Sequence, residues 1–359
     1  LRRVLLVAGG TGGHIWPAIS FGEWIRRTRP EVHVSYLAGT RTIERDIYHS
    51  AGIEPHLIGV EGSPLGGGKG QRRRRWLQQL RGIFQTRDCF REEDPDICVL
   101  FGGYVCVPAL FLCRFQRTPC IFHEQNARSG RVTRLARHMG IPIATGFSLC
   151  EPFEKGSFYP VGVPIRRFRR LPDAEAWTKL GIGVPASEGP VVAVMAGSLG
   201  SSPLTDAVRE LVRRPGFRGW TFLVLGGASF LVAEEENLFL LPRLWEPDPI
   251  LSVADLLIVR AGASTLAEVA SLGKPAVVAP WSASAGDHQR RNASAFVEEW
   301  GGFVWDEKAE GVRALEAYLK KLRERASLSR PRREIPGPDD ASERLWERMT
   351  GFARGEGRG

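Results

Sequence analysis

A chain of 359 residues is long enough for two domains of ordinary size, and 43% hydrophobic with 25% charged residues is the composition of a soluble globular protein. No apolar run approaches the roughly 18 to 20 residues that span a bilayer, the first one is too short and glycine-broken for a signal peptide, and Leu1 in place of a methionine suggests a missing or processed N-terminus. The formal net charge of +9 comes with no zinc-finger spacing, RNP motif or basic heptad region, so nucleic acid is set aside and an anionic membrane surface is the expected partner.

The chain opens on Val4-Leu5-Leu6-Val7-Ala8-Gly9-Gly10-Thr11-Gly12-Gly13-His14. An apolar run that breaks into glycines reads as a buried parallel strand and a tight turn that lets the backbone approach a ligand. His14 sits at the mouth of this strand-loop-helix turn, where an imidazole can take a proton near neutral pH, and Pro17 suits the first turn of the following helix. In an open α/β sheet this loop faces the ligand crevice outside the carboxyl ends of the strands. The competing reading is a dinucleotide fold holding the pyrophosphate of NAD or FAD. It requires an acid at the end of the second strand, and Val32 to Ala38 runs instead into Gly39-Thr40-Arg41.

Strands are expected at Arg3 to Ala8, Val32 to Ala38, His56 to Ile58, Ile97 to Phe101, Cys120 to His123 and Ile141 to Thr145, alternating with helices in the βαβ pattern of a doubly wound sheet. Between the third and fourth lies Leu65 to Arg91, in which Trp76, Leu80, Ile83 and Phe84 share one helix face fringed by Arg72 to Arg75, Arg81 and Arg87. Such a stripe packs on its own sheet or lies in an anionic lipid headgroup layer. Phe101-Gly102-Gly103-Tyr104 and His123-Glu124-Gln125-Asn126 follow the fourth and fifth strands, which puts three polar clusters on the rim that carries His14. The six cysteines, Cys89, Cys98, Cys106, Cys113, Cys120 and Cys150, form no Cys-x-x-Cys pair and read as reduced core thiols of a cytosolic protein.

The pattern pauses near Val161 to Arg166, and Arg166, Arg167, Arg169 and Arg170 lead into a polar stretch. This places a first domain at 1–162, a linker at 163–170, a second domain at 171–335 and a final helix and tail at 336–359. The second domain restarts with a strand at Val191 to Met195 and the turn Ala196 to Ser202. Further strands are expected at Phe222 to Leu225, Leu238 to Leu241, Leu256 to Val259, Ala276 to Ala279 and Phe303 to Trp305. Two Rossmann-like domains facing each other across a cleft are the expected architecture. Arg260 to Glu268 joins a strand to a helix whose N-terminal N–H groups form a seat for a diphosphate, and Glu268 is placed to accept hydrogen bonds from ribose hydroxyls or simply to complement the helix dipole. Asp287-His288-Gln289 and Asn292 form a polar set suited to sugar hydroxyls.

In this order, GGTGGH, FGGY, HEQN, Gly162 to Arg166, Ala196 to Gly200, Gly262 to Glu268 and Asp287 to Asn292 resemble the motifs of the MurG family of N-acetylglucosaminyltransferases, within glycosyltransferase family 28, over about residues 4 to 300. The resemblance implies an α/β, GT-B type fold and inverting transfer of GlcNAc from UDP-GlcNAc to the muramoyl 4-hydroxyl of lipid I. The product is lipid II, and the setting is peptidoglycan synthesis at the cytoplasmic face of the bacterial membrane. It implies the acceptor and membrane face in the N-terminal half, with Trp76, Leu80, Ile83 and Phe84 docking on the leaflet, and the donor site in the C-terminal half. His14 corresponds to the candidate base or an acceptor-positioning group, with Thr11, Tyr104 and Asn126 at the acceptor. Thr11, Gly12, Gly13, Asn126, Arg166, Ser198, Thr265, Leu266, Glu268 and Gln289 correspond to donor contacts, and Leu244 or Trp245 flanks the uracil. The chain departs from the family pattern at Val163, Leu199, Ala261 and Ser264. No cofactor or metal is expected: Asp94-Pro95-Asp96 looks like a metal-binding DxD but precedes a strand, so it reads as a helix-to-strand turn and activity should survive EDTA. The alternatives left open are a related transferase with another lipid acceptor, such as a diacylglycerol, and a non-transferase nucleotide-binding protein such as an oxidoreductase.

Overall fold

The computed structural model describes residues 1–62, 69–184, 189–196, 201–281, 287–326 and 335–354. The chain divides into two compact units, Leu1–Arg166 with Gly337–Gly359, and Arg167–Pro336.

The first unit runs β1 (Arg3–Ala8), α1 (Gly12–Thr28), β2 (His33–Gly39), α2 (Thr42–Ser50), β3 (His56–Ile58), α3 (Lys69–Glu93), β4 (Ile97–Gly102), α4 (Cys106–Gln116), β5 (Cys120–Glu124), α5 (Arg131–His138), β6 (Ile143–Thr145) and β7 (Tyr159–Pro160). Its strands form one parallel sheet in the order β3-β2-β1-β4-β5-β6-β7. Val4 to Ala8 and all of β4 are buried, as an unbroken apolar run requires when helices cover both faces of a parallel sheet. The order reverses between β1 and β4, so the loops leaving these two strands border the switch point where such folds place ligands.

The second unit runs α6 (Asp173–Leu180), β8 (Val191–Met195), α7 (Ser202–Val212), β9 (Thr221–Leu225), β10 (Val232–Glu235), β11 (Leu238–Leu241), α8 (Asp248–Val253), β12 (Leu256–Arg260), α9 (Ala263–Leu272), β13 (Ala276–Ala279), α10 (His288–Trp300), β14 (Phe303–Val304) and α11 (Gly311–Ala326). Its sheet order is β10-β11-β9-β8-β12-β13-β14, parallel except for β10, which returns on β11 as a hairpin. The switch point lies between β8 and β12. Phe217, Trp220, Phe222 and Trp305 anchor the core on one face of this sheet.

The final helix, α12 (Asp340–Ala353), belongs to the first unit. Trp346 meets Trp24 of α1 with ring centroids 6.1 Å apart, Phe352 meets Tyr159 edge-on at 5.3 Å, and Arg344 donates to the Val161 carbonyl at 2.9 Å.

Three local expectations are corrected. Pro17 is not in the first turn of α1, which already begins at Gly12, so its ring removes one N–H from the helix ladder. Glu124 lies inside β5 and Arg260 inside β12, because the sheet pairs each strand one residue further than its apolar run extends. β7 and β10 carry no readable apolar pattern, since β7 is two residues at an edge and β10 is Val-Ala-Glu-Glu with three of its four residues exposed.

Candidate active site

In the first unit the site is built around His14 in the first turn of α1. Gly102 and Gly103 leave β4 with φ of +112° and +83°, and this left-handed course carries the backbone past the imidazole. A Cβ on Gly102 would stand 2.7 Å from His14 Nδ1, and one on Gly103 would stand 2.3 Å from the Gly9 carbonyl oxygen. The first glycine of FGGY therefore leaves the space that His14 occupies, and the second lets the chain pass the Gly9 backbone. His14 Nδ1 lies 2.9 Å from Gln125 Oε1. The Gln125 amide nitrogen donates to the carbonyls of Phe101 at 2.8 Å and His123 at 2.9 Å, and lies 3.1 Å from His123 Nδ1. His123 is fully buried, its Nε2 donates to the Gly162 carbonyl at 2.7 Å, and burial lowers its imidazolium pKa to about 4.

Beneath the glycine turn sits Glu44 of α2, which sequence reasoning missed. Its buried carboxylate accepts the Gly39 N–H at 2.8 Å and also the Gly10 N–H, and burial pushes its pKa up against those hydrogen bonds. The signal was present in the Gly39-Thr40-Arg41 break, where the missing ribose-binding acid is replaced by an acid five residues on that turns inward. Thr11 is exposed at the head of α1 and its hydroxyl makes no cap bond; Gly12 is buried and Gly13 exposed.

Glu124 fixes the neighbouring loop. It accepts Asn126 N and Nδ2 at 3.0 and 2.9 Å, Gly130 N at 2.8 Å, and the Thr133 hydroxyl. Asn126 thus has its amide nitrogen turned inward. Tyr104, half-buried, packs on the core beside α4. Arg166 closes the first unit with its guanidinium 4.5 Å from the ring centre of Trp16, a residue of α1 for which the sequence reading had no role. Val163, one of the departures from the family pattern, is buried where a Cβ on Gly146 would strike it, so it fills core.

In the second unit the strand-to-helix turn after β12 carries the candidate donor residues. Gly262 caps α9, the Leu266 N–H donates to its carbonyl at 2.9 Å, and the N–H groups of Ala263, Ser264 and Thr265 lie ahead of that first rung. Thr265 is half-buried, whereas Glu268, two positions beyond Leu266, is 5% exposed. Leu266 is itself buried with its N–H committed, so it holds the turn from below. Arg260 forms an ion pair with Glu307 at 2.9 Å, the side chains 7% and 10% exposed, and also donates to the Ala279 carbonyl and the Ser201 hydroxyl. Asn292 corrects an expectation: it is fully buried and donates to the Ala261 carbonyl at 3.0 Å, bracing the α9 turn, not facing a sugar. Gln289, half-buried at the start of α10, accepts the Trp281 N–H at 2.8 Å. Leu244 and Trp245 are half-buried, with Arg243 5.4 Å above the Trp245 ring. Ser198 and Leu199 lie outside the described residues.

On α3 the apolar stripe faces outward. Trp76, Leu77, Leu80 and Phe84 are each more than half exposed, while Gln79, Gly82, Thr86, Cys89 and Phe90 form the inner face. Ile83 leaves the stripe and packs on the core. Gly82 permits this inversion: its Cβ would meet Val60 at 2.8 Å and Pro108 of α4 at 3.2 Å, so the helix approaches α4 through a side without a side chain. α4 adds Phe111 and Phe115, the latter 86% exposed, together with exposed Arg114 and Arg117. Sequence reading missed these two because a helix with that many apolar residues reads as buried on all sides. Among the described residues no helix is long and apolar enough to cross a membrane. Asp96 accepts the Arg2 and Arg3 N–H groups at 2.5 and 3.0 Å, so the Asp94-Pro95-Asp96 turn joins α3 to β4 and ties it to the start of β1. All six cysteines are buried and free, and burial pushes the Cys106 thiol up to about 12.

Residues 4–139 match the glycosyltransferase family 28 N-terminal domain and residues 191–335 match its C-terminal domain. A UDP-N-acetylglucosamine--N-acetylmuramyl-(pentapeptide) pyrophosphoryl-undecaprenol N-acetylglucosamine transferase of Alkaliphilus metalliredigens is 31% identical over 332 residues, 89% of each chain. A transferase of the same name from Lactococcus lactis subsp. cremoris is 29% identical, covering 96% of this chain and 98% of its own. The crystal structure of MurG from Acinetobacter baumannii has a TM-score of 0.66 at 20% identity, covering 99% of this chain and 98% of that one. The fold is accordingly of the GT-B type, two α/β domains built on parallel sheets.

Proposed function

The chain belongs to glycosyltransferase family 28, and on that premise we propose that it transfers N-acetylglucosamine from UDP-GlcNAc to the muramoyl 4-hydroxyl of lipid I, forming lipid II. The observation that carries this reading is coverage: relatives named for this transfer align with 89 to 96% of the chain, through both domains. The enzyme is a UDP-GlcNAc-dependent hexosyltransferase.

The donor is α-linked and the product β-linked, so the simplest course is one in-line displacement. His14 takes the proton of the 4-hydroxyl, the oxygen bonds to C1 of GlcNAc, and the C1–O bond to the diphosphate breaks, with UDP leaving on the electron pair. General-base assistance of this kind is worth roughly 10²- to 10⁴-fold. The start of α9, with its positive dipole end, suits the diphosphate, and Thr265, Glu268 and Gln289 are assigned to the uridine sugar. Thr11, Tyr104 and Asn126 are assigned to the acceptor.

The exposed face of Trp76, Leu77, Leu80, Phe84, Phe111 and Phe115, fringed by Arg73, Arg74, Arg81, Arg114 and Arg117, is assigned to the cytoplasmic leaflet. This supports a peripheral enzyme at the membrane that carries its lipid substrate.

The test is transfer of radiolabelled GlcNAc to lipid I or to diacylglycerol, each with and without EDTA. Labelled lipid II in both lipid I arms is expected, because Asp96 is spent on the backbone at the start of β1. Transfer to diacylglycerol alone would reject the acceptor, and release of bound NAD with no UDP formed would reject the reaction class. Phe84→Ser with Phe115→Ser should weaken sedimentation with anionic vesicles by about 100-fold or more, at about 1.5 to 3 kcal/mol per buried aromatic side chain.

A further inference from the structure

We infer that Gln125, itself held by His123, is a positioning residue that fixes His14 in the tautomer protonated at Nδ1, leaving Nε2 as the basic nitrogen. The inference rests on the reading of His14 as the base for its catalytic meaning, but not for its geometry.

The acceptors around the Gln125 amide cannot be reversed. The carbonyls of Phe101 and His123 lie 2.8 and 2.9 Å from one end of the Gln125 amide. A carbonyl oxygen only accepts, so that end must be the NH₂ group, and the opposite end, 2.9 Å from His14 Nδ1, must be the oxygen. An amide oxygen only accepts as well, so His14 Nδ1 carries the proton. His123 is oriented by the same logic. Its Nε2 stands 2.7 Å from the Gly162 carbonyl and must donate, which leaves Nδ1 as a lone pair facing the Gln125 NH₂ group at 3.1 Å. Burial keeps His123 neutral, with its pKa lowered to about 4, so this direction is not reversed near neutral pH.

The assembly has no slack. Gln125 and His123 are both buried, Gly162 holds its carbonyl in a left-handed conformation with φ of +89°, and the Gly102 backbone lies where a Cβ would touch His14 Nδ1. Neither Gln125 nor His123 is placed against substrate. Their part is to decide which of two nitrogens is basic, a choice that free imidazole leaves open. The helix-start residue that reacts is thus set from the end of β5 by the alternate residues His123 and Gln125.

The test reads the tautomer directly. In ¹⁵N-histidine-labelled protein, with His14 assigned by its loss in His14→Ala, the neutral ring should show a protonated-type signal at Nδ1 and a lone-pair-type signal at Nε2. The reverse pattern in the wild-type protein overturns the inference without any variant. Gln125→Met, which removes the acceptor, should lose the Nδ1–H signature and lower kcat by about 10- to 100-fold, part of the general-base advantage, with KM for UDP-GlcNAc within about twofold. Gln125→Glu keeps an acceptor for Nδ1 but sets its second oxygen against the Phe101 and His123 carbonyls, so the Nδ1–H signature should survive in it while kcat recovers only in part. Equal losses in both variants, with the signature intact in each, overturn the positioning role. If His14→Ala turns over normally while the wild-type signature stands, the base reading fails and the tautomer assignment survives.

Discussion

The turn after β1 and the turn after β12 share a plan of strand, glycine and helix, yet opposite charges brace them. Behind the first lies the Glu44 carboxylate, which takes the Gly10 and Gly39 N–H groups for itself. Behind the second lies Arg260, paired with Glu307 and spent on the Ala279 carbonyl and the Ser201 hydroxyl. A buried anion uses up amides, whereas a buried cation uses up carbonyls and hydroxyls. The first turn therefore presents an imidazole, while the second opens a helix whose first rung runs from the Leu266 N–H to the Gly262 carbonyl. This is also why the glycine-rich opening does not need a dinucleotide to explain it: an internal carboxylate already sits where such a ligand would draw on the backbone.

The largest expected effect tests the reactive half of that contrast. His14→Ala should lower kcat in the lipid I assay by roughly 10²- to 10⁴-fold while UDP-GlcNAc still binds, as measured by calorimetry. Near-normal turnover would move the base elsewhere. Next comes the cationic brace: Arg260→Met strands Glu307 in the interior and should destabilise by about 3 to 5 kcal/mol in denaturant titration. Adding Glu307→Leu to that variant should recover a good part of the loss, and a double variant no better than the single would show that the carbonyl and hydroxyl bonds matter more than the pair. Gly103→Ala should follow at about 1 to 3 kcal/mol from the left-handed backbone alone, raised by the contact with the Gly9 carbonyl.

The smallest effect concerns the sign of the anionic brace. Burial holds the Glu44 pKa above the ordinary 4.5. A carboxyl raised in the fold contributes stability that is full below its unfolded pKa and is lost as pH rises through its folded pKa. Glu44→Gln keeps an acceptor for the Gly39 N–H and removes that loss. The variant should therefore gain stability relative to the wild type between acid and neutral pH, and parallel stability curves would show that Glu44 is not under this strain.

Strand positions were legible because a strand covered on both faces has to be apolar along almost its whole length: β1, β8, β11 and β13 fall on the residues that Arg3 to Ala8, Val191 to Met195, Leu238 to Leu241 and Ala276 to Ala279 led one to expect. β10 was not legible, since an exposed edge strand has no such obligation. The α3 stripe was visible as a pattern, but its outward direction was not. Periodicity says which residues share a face and is silent on which face meets the core, and here one glycine, Gly82, settles it.

Sequence alone determined the alternation of strands and helices, the glycine turns and the polar residues that follow them, because these depend on local backbone freedom and on burial along a single strand. Tertiary structure decided which polar residues serve the fold and which are left for a substrate. Asn292, and Arg260 at the head of the expected diphosphate turn, look like site residues in the sequence, and each is consumed by a backbone carbonyl or a buried partner contributed by another part of its own unit. A buried polar group must be satisfied wherever the chain brings a partner, and that meeting is set by long-range packing, which no local pattern records.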